Sequence, residues 1–204
     1  MKKFVTISRE YGSGGKDIGK LLADKLGVAF YDKEIIDKEV EKMGFSKEII
    51  EGAELKAKSS FAYSLASALS FSEGSGGTLS MNDKIFLAQF QVIKDIAERD
   101  EEGVIVGRCA DYVLRDIPGV TNVFIHAEYE DRIKRAITEY GDDEKRAKEL
   151  VNSYDKARAN YYNYHTGLRW GDPRNYNLSL NSSYISEEKA AELILGYVKN
   201  RTYR

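Results

Sequence analysis

The chain has 204 residues, of which 42% are hydrophobic and 31% charged, with 31 Lys/Arg against 33 Asp/Glu for a formal net charge of -2. That length suits one main domain with room for an insertion. The single cysteine, Cys109, excludes an intrachain disulfide or zinc cluster, and evenly mixed charge lacks the cationic field of a nucleic-acid binder. With no apolar run near the ~20 residues of a membrane span, and with "MKKFVTISRE" turning polar too early for a secretory leader, the expectation is a cytoplasmic protein without membrane or nucleic-acid partners.

In chain order, Phe4 to Ile7 reads as a strand, followed by a glycine turn. A helix then places Ile18, Leu21, Leu22 and Leu26 on one face and closes at Gly27. Val28 to Tyr31 is a second strand ending at Asp32, and residues 33–52 form a charged helix. The Ser/Ala/Gly-rich stretch 56–82 predicts a helix and then a mobile loop, the best candidate for a moving insertion. Ile85, Ala88, Val92, Ile93 and Ile96 line another helix, leading into a strand at Val104 to Val106 and a helix through Tyr112 to Leu114. Asn122 to Ala127 is the next strand. The helix after it has acids first and bases later, as the helix dipole favours, and ends at Gly141. A long helix from Asp142 to about Tyr164 gives way to a polar aromatic loop, and Leu178 to Leu180 is the last strand. Ser186 caps a helix expected to bury Ala190, Leu193, Ile194 and Tyr197. Alternating strands and helices define an α/β domain with a mainly parallel sheet.

The turn "GSGGK" can hold phosphate. A strand passing through glycines into a helix presents backbone N–H groups and the positive end of the helix dipole to an anion. Gly12, Ser13, Gly14, Gly15 and Lys16 supply the second half of the phosphate-loop pattern, with Lys16 able to follow charge on the transferred group. Glu10 stands where the pattern begins with glycine, and Asp17 stands where it ends in a hydroxyl that ligates magnesium. A carboxylate at 17 repels phosphate directly but can hold magnesium through water or stabilise the first helical turn.

"ISREYGSGGKDIGKLLADKLG", "FYDKEII", "VIVGRCADYVL", "VFIHAEYEDRIKRA" and "YNLSLNSSYISEEKAAELI", in this order, resemble the cytidylate kinase-like family of bacterial P-loop proteins over nearly the whole chain. The resemblance implies a nucleoside-monophosphate-kinase fold, with a five-stranded parallel sheet flanked by helices. Residues 1–204 would form a single domain carrying an acceptor-binding insertion at about 33–84 and a lid at about 132–175. It also implies ATP with magnesium as donor. Gly12 to Lys16 would surround the donor phosphates with Asp17 beside them, Asp32 would lie near the acceptor phosphate, and Asp17 and Asp32 would hold the metal through water. Arg108 would grip the acceptor phosphate. True cytidylate kinases continue "GRD" there, with an aspartate that helps recognise the nucleotide; this chain has Cys109, with Asp111 two positions further, so the acceptor base stays open. Arg132, Arg135, Lys156 and Arg158 could supply the lid's cations, of which Arg135 and Arg158 are the chosen candidates.

Bland readings stand beside these. Asp32 can simply cap a helix, Arg108 can form a structural salt bridge, and Arg132 and Arg135 can pair within their helix with Glu128 and Asp131. Arg169 and Arg174 flank Trp170 in a loop that could close over a nucleotide or be an ordinary connection. Cys109 is expected to be buried, the tyrosines at 154, 161, 162 and 164 to pack, and His126 and His165 have no partner at a recognisable spacing. The expected function is phosphoryl transfer from ATP to a small acceptor, foremost a pyrimidine nucleoside monophosphate such as CMP or dCMP. The alternatives are another small-metabolite kinase on the same fold, or a nucleotide-binding module without transferase activity.

Overall fold

A computed structural model describes residues 3–50, 79–99 and 102–202. Five strands carry the β-branched and aromatic residues of the sequence: β1 (Lys3–Arg9), β2 (Ala29–Tyr31), β3 (Glu102–Val106), β4 (Thr121–His126) and β5 (Leu178–Asn181). They pair in parallel in the order β2-β3-β1-β4-β5, with Ile7 of β1 beside Val106 on one side and Val123 on the other. The central strands have helices on both faces, so they read as nearly continuous apolar runs.

Alternation along each strand decides which helix meets which residue. Val5, Ile7, Val104, Val106, Val123 and Ile125 face α1 (Gly15–Leu26) and α7 (Glu187–Asn200), which contribute Ile18, Leu22, Ala190 and Ile194. Phe4 and Ile105 face the opposite way, into a cluster with α2 (Lys33–Lys42), α3 (Met81–Arg99) and the short α4 (Ala110–Val113). The remaining helices, α5 (Tyr129–Thr138) and α6 (Ala147–Thr166), pack together through Ile133, Ala136, Ala147 and Val151. The far end of α6 puts Tyr162 beside Phe86 of α3 and Cys109 at the start of α4.

Three expectations are corrected. The long helix begins at Ala147 and not at Asp142, because the Asp143 carboxylate captures the Lys145 N–H and holds a turn there. In α7 the buried stripe runs through Ala190, Ala191, Ile194 and Val198, while Leu193 is 52% exposed and Tyr197 half-buried. The charged helix expected over 33–52 stops at Met43, where Gly44 takes a φ of 96°. Most of the stretch 56–82 lies outside the described residues; its last residues, from Met81, open α3.

Candidate functional site

All five strands point their carboxyl ends to one edge, where open α/β sheets bind ligands. The glycine turn leaves β1 at that edge. Gly12 has a φ of 77°, and a Cβ there would collide with the carbonyl of Arg132, so glycine is required both by conformation and by the closeness of α5. Gly14, also left-handed, caps α1. The turn is braced from below: Ser13 Oγ donates to the Glu10 carbonyl at 2.8 Å, and Ser182 Oγ donates to the Ser13 carbonyl at 2.7 Å.

Both departures from the phosphate-loop pattern find places in this geometry. Glu10 turns its carboxylate away from the mouth of the turn, accepting the Ala127 N–H at 3.2 Å and pairing with Arg132 Nε at 3.4 Å. It joins β1 to the end of β4 and the root of α5, so it does not crowd an anion. Asp17 is half-buried on the first turn of α1, within electrostatic reach of Tyr140 and Glu187. Burial, then Asp17, raises the Glu187 carboxyl above its ordinary range.

Asp32 follows β2 and caps the next helix, as one of its two readings expects, while its other oxygen holds Lys16. Its Oδ1 accepts the Glu34 and Ile35 N–H groups as the cap of α2, and its Oδ2 meets Lys16 Nζ at 2.8 Å. Burial alone would raise its pKa, but the Lys16 hydrogen bond and the two N–H donors hold it below the ordinary carboxylate value. Glu34 approaches the same ammonium at 3.3 Å. The edge therefore already accommodates a cation between two carboxylates. Magnesium keeps most of its waters and needs only one or two carboxylates besides the phosphates, so this donor set fits it. Among the described residues no group of three or more His, Cys, Asp or Glu is arranged to hold a metal alone.

Arg108 sits in an unusual backbone. Gly107, Arg108 and Cys109 are successively left-handed at φ 84°, 56° and 53°, a run that non-glycine residues adopt only when the surroundings enforce it. The bend turns the Arg108 side chain toward α2, where Nη2 meets both oxygens of Asp37 at 3.1 and 2.8 Å. Asp37 Oδ1 also accepts from Gln89 of α3, whose own oxygen accepts from Tyr161 of α6. Cys109 is buried, as expected, and Asp111 is buried against the Tyr162 hydroxyl at 2.7 Å. Burial pushes the Asp111 carboxyl upward, against the opposing effect of the hydrogen bond donated by Tyr162.

The lid candidates separate into two groups. Arg158 reaches back from α6 to donate to the Arg9 carbonyl at 3.0 Å, and Arg135 donates to the Gly12 carbonyl at 3.2 Å, so both touch the loop. Arg132 is 8% exposed and held by Glu10 and Asp155, a structural bond between α5 and α6. Lys156 and Arg169 are exposed, and Arg174 pairs with Asp172 at 2.5 Å. Trp170 packs edge-on to Phe124 at 5.4 Å.

Sequence reasoning passed over Arg9 and Tyr140. Arg9 is the last residue of β1, beside both the loop and Gly107. Tyr140 lies near Gly14 and Asp17 and has its hydroxyl pKa raised first by burial and then by Asp17. The position of Arg9, a cation ending the strand that enters a glycine turn, was an available signal. Tyr140 gives none, because only the packing of α5 brings it to the loop.

This strand order, with a glycine loop between β1 and α1 and converging cations at the carboxyl edge, is that of the P-loop kinases. Residues 4–184 match the cytidylate kinase-like family, and the chain belongs to that family. Among solved structures, it is similar to an uncharacterized protein from Eubacterium ventriosum, with 27% identity, 98% of this chain and 100% of that chain covered, and a TM-score of 0.74. Shikimate kinase from Acinetobacter baumannii, in complex with shikimate, shares the fold at 13% identity and a TM-score of 0.54, over 98% and 93% of the two chains. So does deoxyadenosine kinase from M. mycoides, with dCMP and dCDP bound, at 13% identity and a TM-score of 0.51, over 97% and 100%. A search of curated proteins gave no match.

Proposed function

We propose that this protein transfers the terminal phosphoryl group of ATP to a small acceptor, a pyrimidine nucleoside monophosphate such as CMP or dCMP. The observation that carries the proposal is the convergence of Lys16, Arg9, Arg108 and Arg158 on one sheet edge around the glycine loop. Phosphoryl transfer asks for alignment and for charge around the equatorial oxygens more than for covalent chemistry. Gly12 to Gly15 would cradle the donor phosphates with their N–H groups. Lys16 would exchange Asp32 for a phosphate oxygen, and Arg135 and Arg158 would hold the donor side closed. Arg108, presented by its left-handed bend, would fix the acceptor. Magnesium would be held through water by Asp32 and Asp17, and when bound it would offset phosphate charge. The single domain, its acceptor insertion at about 33–84 and its lid at about 132–175 belong to the same reading; closing both would exclude water, the competing acceptor.

One observation favours a different acceptor on the same fold. No carboxylate directly follows Arg108, and Asp111 is spent on Tyr162, so the base-reading carboxylate of the family pattern is not offered at that position. A coupled ADP-release assay with ATP and magnesium over nucleotides, shikimate and sugar acids decides between the two. CMP or dCMP should give the fastest turnover, and Lys16→Ala should abolish it. Turnover with a non-nucleotide alone would establish the second reading, and nucleotide binding without turnover would leave a binding module.

A further inference from the structure

Arg9 stands beside the glycine loop at a position to which the phosphate-loop pattern gives no role. Its Cβ is wedged against the start of α1, where a Cβ on Gly15 would come within 2.6 Å. Its guanidinium lies against Gly107, so closely that any side chain at 107 would occupy the position of Nη1. The side chain thus spans the gap between the donor loop and the bend that presents Arg108. Arg158 closes the third side, donating to the Arg9 carbonyl at 3.0 Å.

The charges around it are unbalanced. Arg108 has Asp37 at 2.8 Å and Arg158 has Asp155 at 3.6 Å, but the Arg9 guanidinium forms no ion pair among the described residues. Burial first, then the Arg158 and Arg108 charges, weigh against its cation, and Tyr140 and Asp32 offset this only in part. A guanidinium keeps its proton under such pressure. A half-buried arginine surrounded by like charge is a standing cost unless an anion with several oxygens seats on it.

We infer that Arg9, flanked by Arg108 and Arg158, is the seat of a phosphoryl group held between the donor loop and the β3 bend. The inference rests on the phosphoryl-transfer reading and goes beyond it by assigning a ligand that neither the loop pattern nor the lid supplies. The group is a terminal phosphate, brought either by a phosphomonoester acceptor or by the donor.

The test is isothermal titration of the full chain and of Arg9→Met and Arg9→Lys, using inorganic phosphate, CMP, cytidine and a non-hydrolysable ATP analogue. Wild type should bind phosphate, and Arg9→Met should bind it about tenfold or more weakly, the loss expected for a charge-assisted contact. Arg9→Lys, which keeps the charge but not the fork, should fall between, and its melting temperature controls for folding. A matching loss for CMP, with the analogue unchanged and cytidine not bound, assigns the seat to the acceptor; a loss for the analogue alone assigns it to the donor. Unchanged affinity of both variants for all probes would overturn the seat, and CMP turnover by the wild type would then still support the phosphoryl-transfer reading. A wild type that binds phosphate through Arg9 but turns over no CMP would sink the pyrimidine acceptor and spare the seat.

Discussion

Stacked on Phe86 with ring centroids 4.0 Å apart, and hemmed in by Tyr161 and Tyr164, the His165 imidazole is 4% exposed. Burial pushes its pKa down to about 4, against the opposing pull of Asp83 at 4.0 Å. The unfolded chain takes up this proton near pH 6.5 and the folded chain does not until about pH 4, so the unfolded state binds more protons in between. Stability from this site is full above pH 6.5 and drains as pH falls toward 4, by on the order of 3 kcal/mol. Urea unfolding of His165→Phe across that range should show a flatter acid limb than wild type, and parallel limbs would refute the assignment. At this scale the sequence was legible where backbone chemistry decides: Gly12 to Lys16, the Asp32 cap and buried Cys109 were readable from local pattern. His165 was not, since Phe86 and Asp83, on which its burial and charge depend, stand about eighty positions away.

Among the elements, the join between α5 and α6 depends on Asp155. Its carboxylate accepts the Tyr11 N–H at 2.7 Å, pairs with buried Arg132 and lies 3.6 Å from Arg158. Tyr11 completes the contact by stacking on Tyr154 at 4.3 Å. Removing one side of a buried pair strands the other charge, so Asp155→Ala should cost about 3 kcal/mol in chemical denaturation. Loss below about 1 kcal/mol would mean that Arg132 finds Glu10 sufficient. Helices and strands with a steady period were readable in the sequence, because one buried stripe or an apolar run fixes each. The first turn of α6 and the exposure of Leu193 were not: Asp143 takes over the backbone before Ala147, and Ala191 and Val198 fit against α1 where a leucine is not needed.

For the molecule as a whole, α6 is the crossing member. One end packs on α5, its middle sends Arg158 to the end of β1, and its last turns meet α3, α4 and Trp170. A helix integrated in this way should unfold with the sheet. Trp170 is the single tryptophan, so its fluorescence reports this corner. In urea, the Trp170 transition and the far-ultraviolet circular dichroism transition should coincide. An earlier fluorescence transition would show a corner that detaches from an intact sheet.

The acids around Lys16 have a bearing on turnover. With Asp32 at 2.8 Å and Glu34 at 3.3 Å, the ammonium has internal partners waiting whenever a phosphate leaves it. In the proposed reaction a spent nucleotide would then depart without stranding a bare cation in the loop, and the ion pair that reforms would oppose recapture. The same pair must be displaced when the next nucleotide arrives, which lowers affinity for every phosphate alike. In the proposed reaction Asp32 and Glu34 would thereby trade tight holding for quick exchange.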